Sequence, residues 1–196
     1  LDGRTPTKVR LRADGRLLLR VDRGSGRASE TAGVPPGCDD LFLRADAVLV
    51  SDYGRGIAAH PEVRRLLAEG ARRRPLVWDP HLRGPGPIAG AALVTPNRSE
   101  AAQLVPDAEE DGLALETARA RALARRWDCH AVAVTLGGEG ALLVRGDEPP
   151  IAVPAEAIPA SDPCGAGDRF ASAVAGSLAG GALLSDAVAA GVGLAS

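Results

Sequence analysis

Residues 47–51 read Ala-Val-Leu-Val-Ser, and a loop rich in glycine separates them from residues 61–73. The first segment is a short apolar run of the kind that forms a buried β-strand. In the second segment, apolar residues recur at helical spacing from Val63 to Ala71. The pattern predicts one unit of strand, loop and helix.

The same alternation continues toward the C-terminus. Parallel strands need long crossover connections, usually helices, so this alternation favours a mostly parallel sheet covered by helices. The predicted fold class is α/β, with one domain over residues 1–196. Further strands are predicted at residues 76–79, 91–95 and 131–136, an antiparallel excursion at 141–144 and 151–153, a β-hairpin at 7–11 and 16–21, and helices at 97–104, 115–127, 165–178 and 184–194.

Composition excludes several classes of function. The chain has 196 residues, of which 45% are hydrophobic, enough for one good core. Its 23 basic and 25 acidic residues nearly balance, so no nucleic-acid partner is expected. Because no apolar run is long enough to span a bilayer and no signal peptide is recognisable, we expect a cytoplasmic protein without a membrane partner.

The three histidines share no metal or catalytic spacing and are interpreted as surface or loop residues: His60, His81 and His130.

Polar motifs directly follow the predicted strands. Ligands of open parallel sheets bind beyond the carboxyl ends of the strands, so these motifs are candidates for the functional site. They are Ser51-Asp52-Tyr53-Gly54-Arg55-Gly56, Asp79-Pro80, Thr95-Pro96-Asn97-Arg98-Ser99-Glu100 and Thr135-Leu136-Gly137-Gly138-Glu139-Gly140.

The segment with the clearest chemistry is Asp162-Pro163-Cys164-Gly165-Ala166-Gly167-Asp168-Arg169-Phe170, which runs into a predicted helix. The first turn of a helix has unpaired N–H groups and a partial positive charge, and glycines let an anion approach the backbone. The segment therefore predicts a phosphate site beside a carboxylate. The alternative is an ordinary glycine-rich helix start, in which Asp168 only complements the helix dipole.

This segment resembles the Asp-Thr-Thr-Gly-Ala-Gly-Asp signature of the ribokinase-like (PfkB-type) carbohydrate kinases, with Pro163 and Cys164 at positions that usually carry hydroxyl or small residues. The resemblance implies a three-layer α/β/α fold with a small β-hairpin lid, and ATP and Mg²⁺ as cofactors. It also implies that Asp168 is the base that takes the proton of the sugar hydroxyl. The amides of Gly165, Ala166 and Gly167 would stabilise charge on the transferring phosphoryl group.

Two further motifs fit the same family. Asn97 and Glu100 resemble its Asn-x-x-Glu motif, which implies a Mg²⁺ site, directly or through water. The same two residues are also a good helix capping box, and both roles can hold at once. The motif from Thr135 to Gly140 resembles the segment of these kinases that lies beside the nucleotide. The resemblance implies ATP contacts at Thr135, Gly137, Gly138 and Gly140. The alternative is a plain hairpin-like turn, which also explains the glycines.

Several segments look most like the heptose-phosphate kinase branch, including Thr5 to Arg10 and Ser51 to Gly56. The implied substrate is a small-molecule sugar or sugar phosphate, with Lys8, Asp52 and Asp79 as weaker candidates for its side of the site. The hairpin is a candidate surface for a homodimer. The family's N-terminal sugar-gripping segments do not appear before Leu1, and its last strand and helix would follow Ser196, so we expect a partial kinase domain.

Three alternatives remain open from the sequence. The first is a related kinase for another sugar or a nucleoside. The second is a nucleotide-binding remnant without catalysis. The third is an α/β domain that binds no nucleotide, in which the motifs serve only as caps and turns.

Overall fold

The computed structural model describes residues 3–13, 16–29, 32–106, 110–156 and 164–195. The strands are β1 (Thr7–Ala13), β2 (Arg16–Arg23), β3 (Val48–Ser51), β4 (Leu76–Asp79), β5 (Leu93–Val94), β6 (Val132–Thr135), β7 (Ala141–Val144) and β8 (Ile151–Val153). The helices are α1 (Cys38–Arg44), α2 (Pro61–Ala71), α3 (Arg98–Leu104), α4 (Gly112–Trp127), α5 (Ala166–Ala179) and α6 (Leu184–Ala195).

Six strands form the central sheet, in the order β3-β4-β5-β6-β7-β8. The pairs from β3 to β6 are parallel, whereas β7 and β8 add an antiparallel edge. Because the strands from β3 to β6 all run in the same direction, their carboxyl ends lie side by side along one edge of the sheet. The predicted mostly parallel sheet with an antiparallel excursion is confirmed.

Side chains of the sheet alternate between two buried cores. Along β4, Leu76 and Trp78 pack into a core with residues of α2, α3 and α4, whereas Val77 points into a second core with α5 and α6. All three side chains have no exposed surface. A strand buried on both faces needs apolar residues at every position, which explains the continuous apolar runs in the sequence. The result is a three-layer α/β/α sandwich.

The hairpin of β1 and β2 forms a sheet of its own. Val9 pairs with Val21 and Leu11 with Leu19, which gives one apolar face. The other face is charged, since Lys8 pairs with Asp22 there. A two-stranded ribbon with an exposed apolar face is marginally stable by itself in water. Its apolar face is therefore a candidate surface for contact with another protein surface.

Local differences from the predicted elements have simple causes. Helix α1 was not predicted, because it has only seven residues and buries none of them fully. Helix α4 begins at Gly112 rather than at residue 115, since glycine is a weak signal for a helix. The predicted strand at 91–95 shortens to Leu93–Val94. Within the described ranges, no helix combines the length and hydropathy that crossing a membrane would require.

Candidate active site

Three neighbouring strands end in polar residues that contact one another. Asp79 is the last residue of β4, and its carbonyl oxygen accepts a hydrogen bond from the backbone N–H of Asp52, just after β3, at 3.0 Å. Its Oδ1 accepts a hydrogen bond from the Thr95 hydroxyl, just after β5, at 2.9 Å. The structure therefore brings the predicted residues Asp52 and Asp79 together at the carboxyl edge of the sheet.

The electrostatics of this edge are dominated by carboxylates. Burial raises the pKa of Asp79 to about 6 from an ordinary value of 3.8, and the negative charges of Glu100, Asp168 and Asp52 add to the effect. The hydrogen bond from Thr95 opposes it. Four predicted site residues thus lie close enough to influence one another, and their shared field favours a cation or a proton at this edge.

Asp79 should make the stability of the protein depend on pH. Its folded-state pKa lies above its ordinary value, so the folded state holds the proton to higher pH and stability is lost as pH rises from about 4 to about 6. Asp79→Asn keeps an acceptor for Thr95, and we expect it to raise the free energy of unfolding by about 1–3 kcal/mol at pH 8. The gain should shrink toward zero near pH 4. Urea denaturation across this range measures it.

The matched control for this prediction is Asp147→Asn, which changes an exposed carboxylate on the turn between β7 and β8. It should leave the pH dependence of stability as it is in the wild type. An Asp79→Asn protein whose stability curve runs parallel to that of the wild type from pH 4 to pH 8 would contradict the assignment.

Asp52 is anchored from several sides. It is only 7% exposed, and its Oδ1 accepts a hydrogen bond from the Gly54 N–H at 2.8 Å. Its Oδ2 lies against Gly84, where a Cβ would overlap it. Gly84 therefore has to lack a side chain for the Asp52 carboxylate to fit. This anchoring fixes the loop that follows β3.

The predicted phosphate-binding segment begins helix α5. Gly165 is its N-cap residue, with a left-handed φ of 80°, and Asp168 lies in its first turn. Among the residues that the structure describes, a Cβ built on Gly165 or Gly167 would meet no atom within 4 Å. The exposed Asp168 carboxylate accepts a hydrogen bond from the Tyr53 hydroxyl at 2.8 Å. Asp162 and Pro163, also part of the motif, lie outside the described residues.

Asn97 and Glu100 form the capping box of α3. The Asn97 side chain accepts a hydrogen bond from the Glu100 N–H, and the Glu100 carboxylate accepts one from the Asn97 N–H, both at 2.9 Å. Burial raises the pKa of Glu100, against the lowering influence of Asn97 and His81. The motif therefore serves as a helix cap, as predicted. The capping box uses only one of the two carboxylate oxygens of Glu100.

The two motifs on the predicted nucleotide side are neighbours. Asn97 and Thr135 form a parallel β-bridge, and the Thr135 N–H donates to the Pro96 carbonyl at 3.0 Å. Arg98 binds both carboxylate oxygens of Glu139, at 2.8 and 3.1 Å, which ties α3 to the 3₁₀ turn at Gly137–Glu139. These residues share one stretch of the sheet edge.

The glycines of this turn differ in environment. Gly137 and Gly138 are exposed, with open space at their Cβ positions, as a ligand-facing turn requires. Gly140 is buried, and its backbone packs against residues 153–155. Packing alone therefore explains the glycine at position 140, and a contact of Gly140 with ATP stays a prediction.

Lys8 lies on the charged face of the hairpin, in register with Asp22. On the same face, the pKa of Arg20 is raised, chiefly by its hydrogen-bonded ion pair with Asp22. A contact between Lys8 and a substrate stays a prediction.

Sequence reasoning missed two contributors to this site and gave a third no role. Gly84 acts through its contact with Asp52, and His81 is partly buried close enough to influence Glu100. Tyr53 lay within a candidate motif, but its bond to Asp168 was not foreseen. Tyr53 carried one usable signal, an aromatic residue directly after a strand end. His60 lies in a loop, as the residue before α2, but it is not at the surface: it is 8% exposed and its Nε2 lies 2.8 Å from the Ala32 carbonyl oxygen.

The fold and the glycine-rich helix start place the chain among α/β proteins whose ligands bind at the carboxyl edge of a sheet. The sequence profile of the pfkB family carbohydrate kinases matches residues 84–196. The chain belongs to this family. The predicted membership in the PfkB-type, ribokinase-like kinases is confirmed.

Curated relatives match along the whole chain. It is 48% identical to the bifunctional protein HldE of Streptomyces coelicolor over 197 aligned positions, which cover 100% of this chain and 41% of that protein. It is 36% identical to the bifunctional protein HldE of Caulobacter vibrioides, over 94% of this chain and 38% of the relative. The chain thus spans about two-fifths of the length of the curated relatives it matches.

Solved structures share the fold. Ribokinase from Arabidopsis thaliana, complexed with ribose and ATP, superposes with a TM-score of 0.73 at 22% identity, over 96% of this chain and 62% of that one. Ribokinase from Thermotoga maritima gives a TM-score of 0.71 at 21% identity, over 98% and 62%. The predicted ribokinase-like α/β fold is confirmed.

Proposed function

We propose that the protein transfers the γ-phosphoryl group of ATP to a hydroxyl of a sugar phosphate, with heptose 7-phosphate as the substrate. The observation that carries the proposal is the Asp168 carboxylate, exposed in the first turn of α5 beside a glycine-rich helix start. Phosphoryl transfer depends mainly on positioning and on charge neutralisation, and this arrangement supplies a base and backbone donors together.

In the proposed reaction, Asp168 accepts the proton of the sugar hydroxyl as that oxygen attacks the γ-phosphorus. The new oxygen–phosphorus bond forms while the bond to the β-phosphate oxygen breaks, and ADP leaves. The N–H groups of Gly165, Ala166 and Gly167 donate to the phosphoryl oxygens, whose negative charge the helix dipole also favours. Asp52 and Asp79 lie toward the sugar.

On the nucleotide side, Thr135, Gly137 and Gly138 would accommodate ATP. Carboxylates and amide oxygens are the ligands that Mg²⁺ prefers, and it keeps several waters, so Asn97 and Glu100 would hold it through water. Such a site fits the clustered negative charges of this edge. Bound Mg²⁺ would neutralise charge on the phosphates.

The choice of heptose 7-phosphate rests on the resemblance of the segments around Lys8 and Tyr53 to the heptose-phosphate kinases. The identity of 48% with the bifunctional protein HldE of Streptomyces coelicolor supports it. The charged hairpin face with Lys8, Arg10 and Arg20 would suit a phosphorylated sugar. Use of ATP fits the expected cytoplasmic location, which cell fractionation would test.

The test is ADP release by the full-length protein with ATP, Mg²⁺ and a panel of heptose 7-phosphate, fructose phosphates, ribose and nucleosides. We expect kcat/KM for heptose 7-phosphate to exceed the others by at least about a hundredfold, a ratio typical of sites built around polar groups of the substrate. If another acceptor is preferred, the substrate assignment changes, and the assignment as a kinase stands. ATP binding without turnover would indicate a non-catalytic remnant, and absence of ATP binding would reject the proposal.

We further propose that the apolar hairpin face, formed by Val9, Leu11, Leu19 and Val21, joins two copies of the protein. Leu11 and Leu19 are 51% and 52% exposed, although they pair with each other. Leu11→Glu should therefore shift a dimer to monomer in analytical ultracentrifugation. Arg10→Glu, on the opposite face, is the matched control and should leave the dimer intact. A wild-type protein that is monomeric at all accessible concentrations would contradict this proposal.

A further inference from the structure

The hydrogen bond between Tyr53 and Asp168 joins two distant parts of the chain. The Tyr53 hydroxyl donates to Asp168 Oδ1 at 2.8 Å, across 115 positions of sequence. Tyr53 is the only tyrosine among the 196 residues. It follows β3, whereas Asp168 lies in the first turn of α5. No local sequence pattern requires this contact.

The backbone holds Tyr53 in place on both sides. Asp52, the residue before it, is fixed by its N–H bond to the Asp79 carbonyl at 3.0 Å and by its buried carboxylate. Gly54, the residue after it, donates to Asp52 Oδ1 at 2.8 Å and lies against His81. The phenol is 56% exposed, so burial of the ring is not what holds it. The anchored loop and the bond to Asp168 determine its position.

The charges around the pair keep the phenol protonated. The pKa of Tyr53 is raised to about 12, first by the hydrogen bond to Asp168, then by burial and by the negative charges of Asp168 and Asp79. Tyr53 is therefore a donor throughout the physiological pH range. Asp168 itself lies in the field of the Asp79 carboxylate, as the mutual influence of the two groups shows.

We propose that Tyr53 is the positioning residue for Asp168. Its hydroxyl holds Oδ1 of the carboxylate, so that Oδ2 is the oxygen that receives the proton of the sugar hydroxyl. This proposal rests on the proposed function. A carboxylate with one oxygen occupied by a fixed donor cannot rotate freely, so its second oxygen keeps one direction. The bond to Oδ1 survives proton transfer, because a neutral carboxyl group still accepts there.

The first test examines the contact itself and needs no kinase activity. Tyrosine labelled with ¹³C at Cζ gives a single signal in the 196-residue chain. We expect its chemical shift to change in Asp168→Ala, which removes the acceptor of the hydrogen bond that the phenol donates. Asp79→Asn is the control, because Asp79 influences the phenol by its charge and not by a hydrogen bond, and it should change the shift much less. A signal at the same position in the wild type and in Asp168→Ala would overturn the proposal.

The second test separates positioning from structure. Tyr53→Phe removes only the hydroxyl, and we expect kcat of the full-length kinase to fall roughly ten- to a hundredfold, the range for losing one hydrogen bond to a charged group. KM for ATP should stay within about twofold. The loss should therefore fall on kcat and not on ATP binding, as expected for a residue that only positions the base. Ile57→Val, in the same loop region but not bonded to Asp168, should change neither.

The outcomes distinguish the two proposals. An unchanged kcat in Tyr53→Phe, measured beside an active wild-type protein, would reject the positioning role and leave the kinase assignment standing. A lowered kcat with a comparable rise in KM for ATP would also reject it, since that result indicates a general structural disturbance. Absence of wild-type turnover with every sugar of the panel would reject the proposed function, and the positioning role with it.

Discussion

Asp168→Asn in the full-length protein is expected to lower kcat for sugar phosphorylation by about a hundred- to ten-thousandfold, the usual contribution of a general base. That loss corresponds to roughly 3–5 kcal/mol of transition-state stabilisation. The substitution is conservative for the fold, because the asparagine side-chain oxygen can still accept the hydrogen bond that Tyr53 donates to Oδ1. What it removes is the basicity of the group. Affinity for ATP should stay within a few-fold.

Steady-state kinetics and calorimetric titration with ATP measure the two quantities separately. The matched control is Asp186→Asn, which changes a carboxylate in the first turn of another helix, α6. It should keep kcat within about twofold, as expected for a change away from the reacting groups. If Asp168→Asn retained more than about a tenth of wild-type turnover, below the usual range for a general base, Asp168 would not be the base.

Gly140→Ala is expected to have the largest effect on stability, lowering the free energy of unfolding by about 3 kcal/mol or more, a value reached only through strain or overlap of this kind. A Cβ at position 140 would overlap the Val153 carbonyl oxygen and lie 2.7 Å from the Ala155 nitrogen. Both atoms belong to backbone, which cannot rotate away. The φ of Gly140 is 100°, so an alanine is strained there even without the overlap.

Two neighbouring glycines serve as controls for this prediction. Gly138→Ala meets open space, and we expect a change within about 0.5 kcal/mol. Gly137→Ala also meets open space but has a φ of 64°, so it should show the backbone strain alone, about 1–2 kcal/mol. Urea denaturation ranks the three variants. Equal losses for Gly137→Ala and Gly140→Ala would show that the contact with residues 153–155 contributes nothing.

The same three variants also address the nucleotide side. If the turn faces ATP, added methyl groups at Gly137 and Gly138 should weaken ATP binding, although Gly138→Ala barely changes stability. Gly140→Ala should act on stability first. The series therefore distinguishes Gly137 and Gly138, where a side chain would crowd a ligand, from Gly140, where a side chain would clash with the protein's own backbone.

Local pattern determined the elements and the place of the site. Apolar runs located every strand of the central sheet. For the central strands the reason is burial on both faces, which needs apolar side chains throughout, whereas the edge strand β8 is largely exposed. Helical spacing and capping residues located five of the six helices, and only the short α1, whose residues are all partly exposed, escaped. The glycine-rich motif before α5 and the polar residues after each strand indicated the carboxyl edge, since strand direction alone brings those ends together.

Tertiary structure decided the partners within that edge. The bonds from Tyr53 to Asp168 and from Asp52 to Asp79 depend on which strands are neighbours and on where α5 crosses the sheet. The elevated pKa of Asp79 likewise depends on how deeply β4 is buried. Such contacts join residues far apart in the chain, whereas periodicity and capping act over a few residues. Local sequence patterns therefore indicated most of the side chains at the site, although not Gly84 or His81. Only the packing of the layers decided which of these residues hold one another in place.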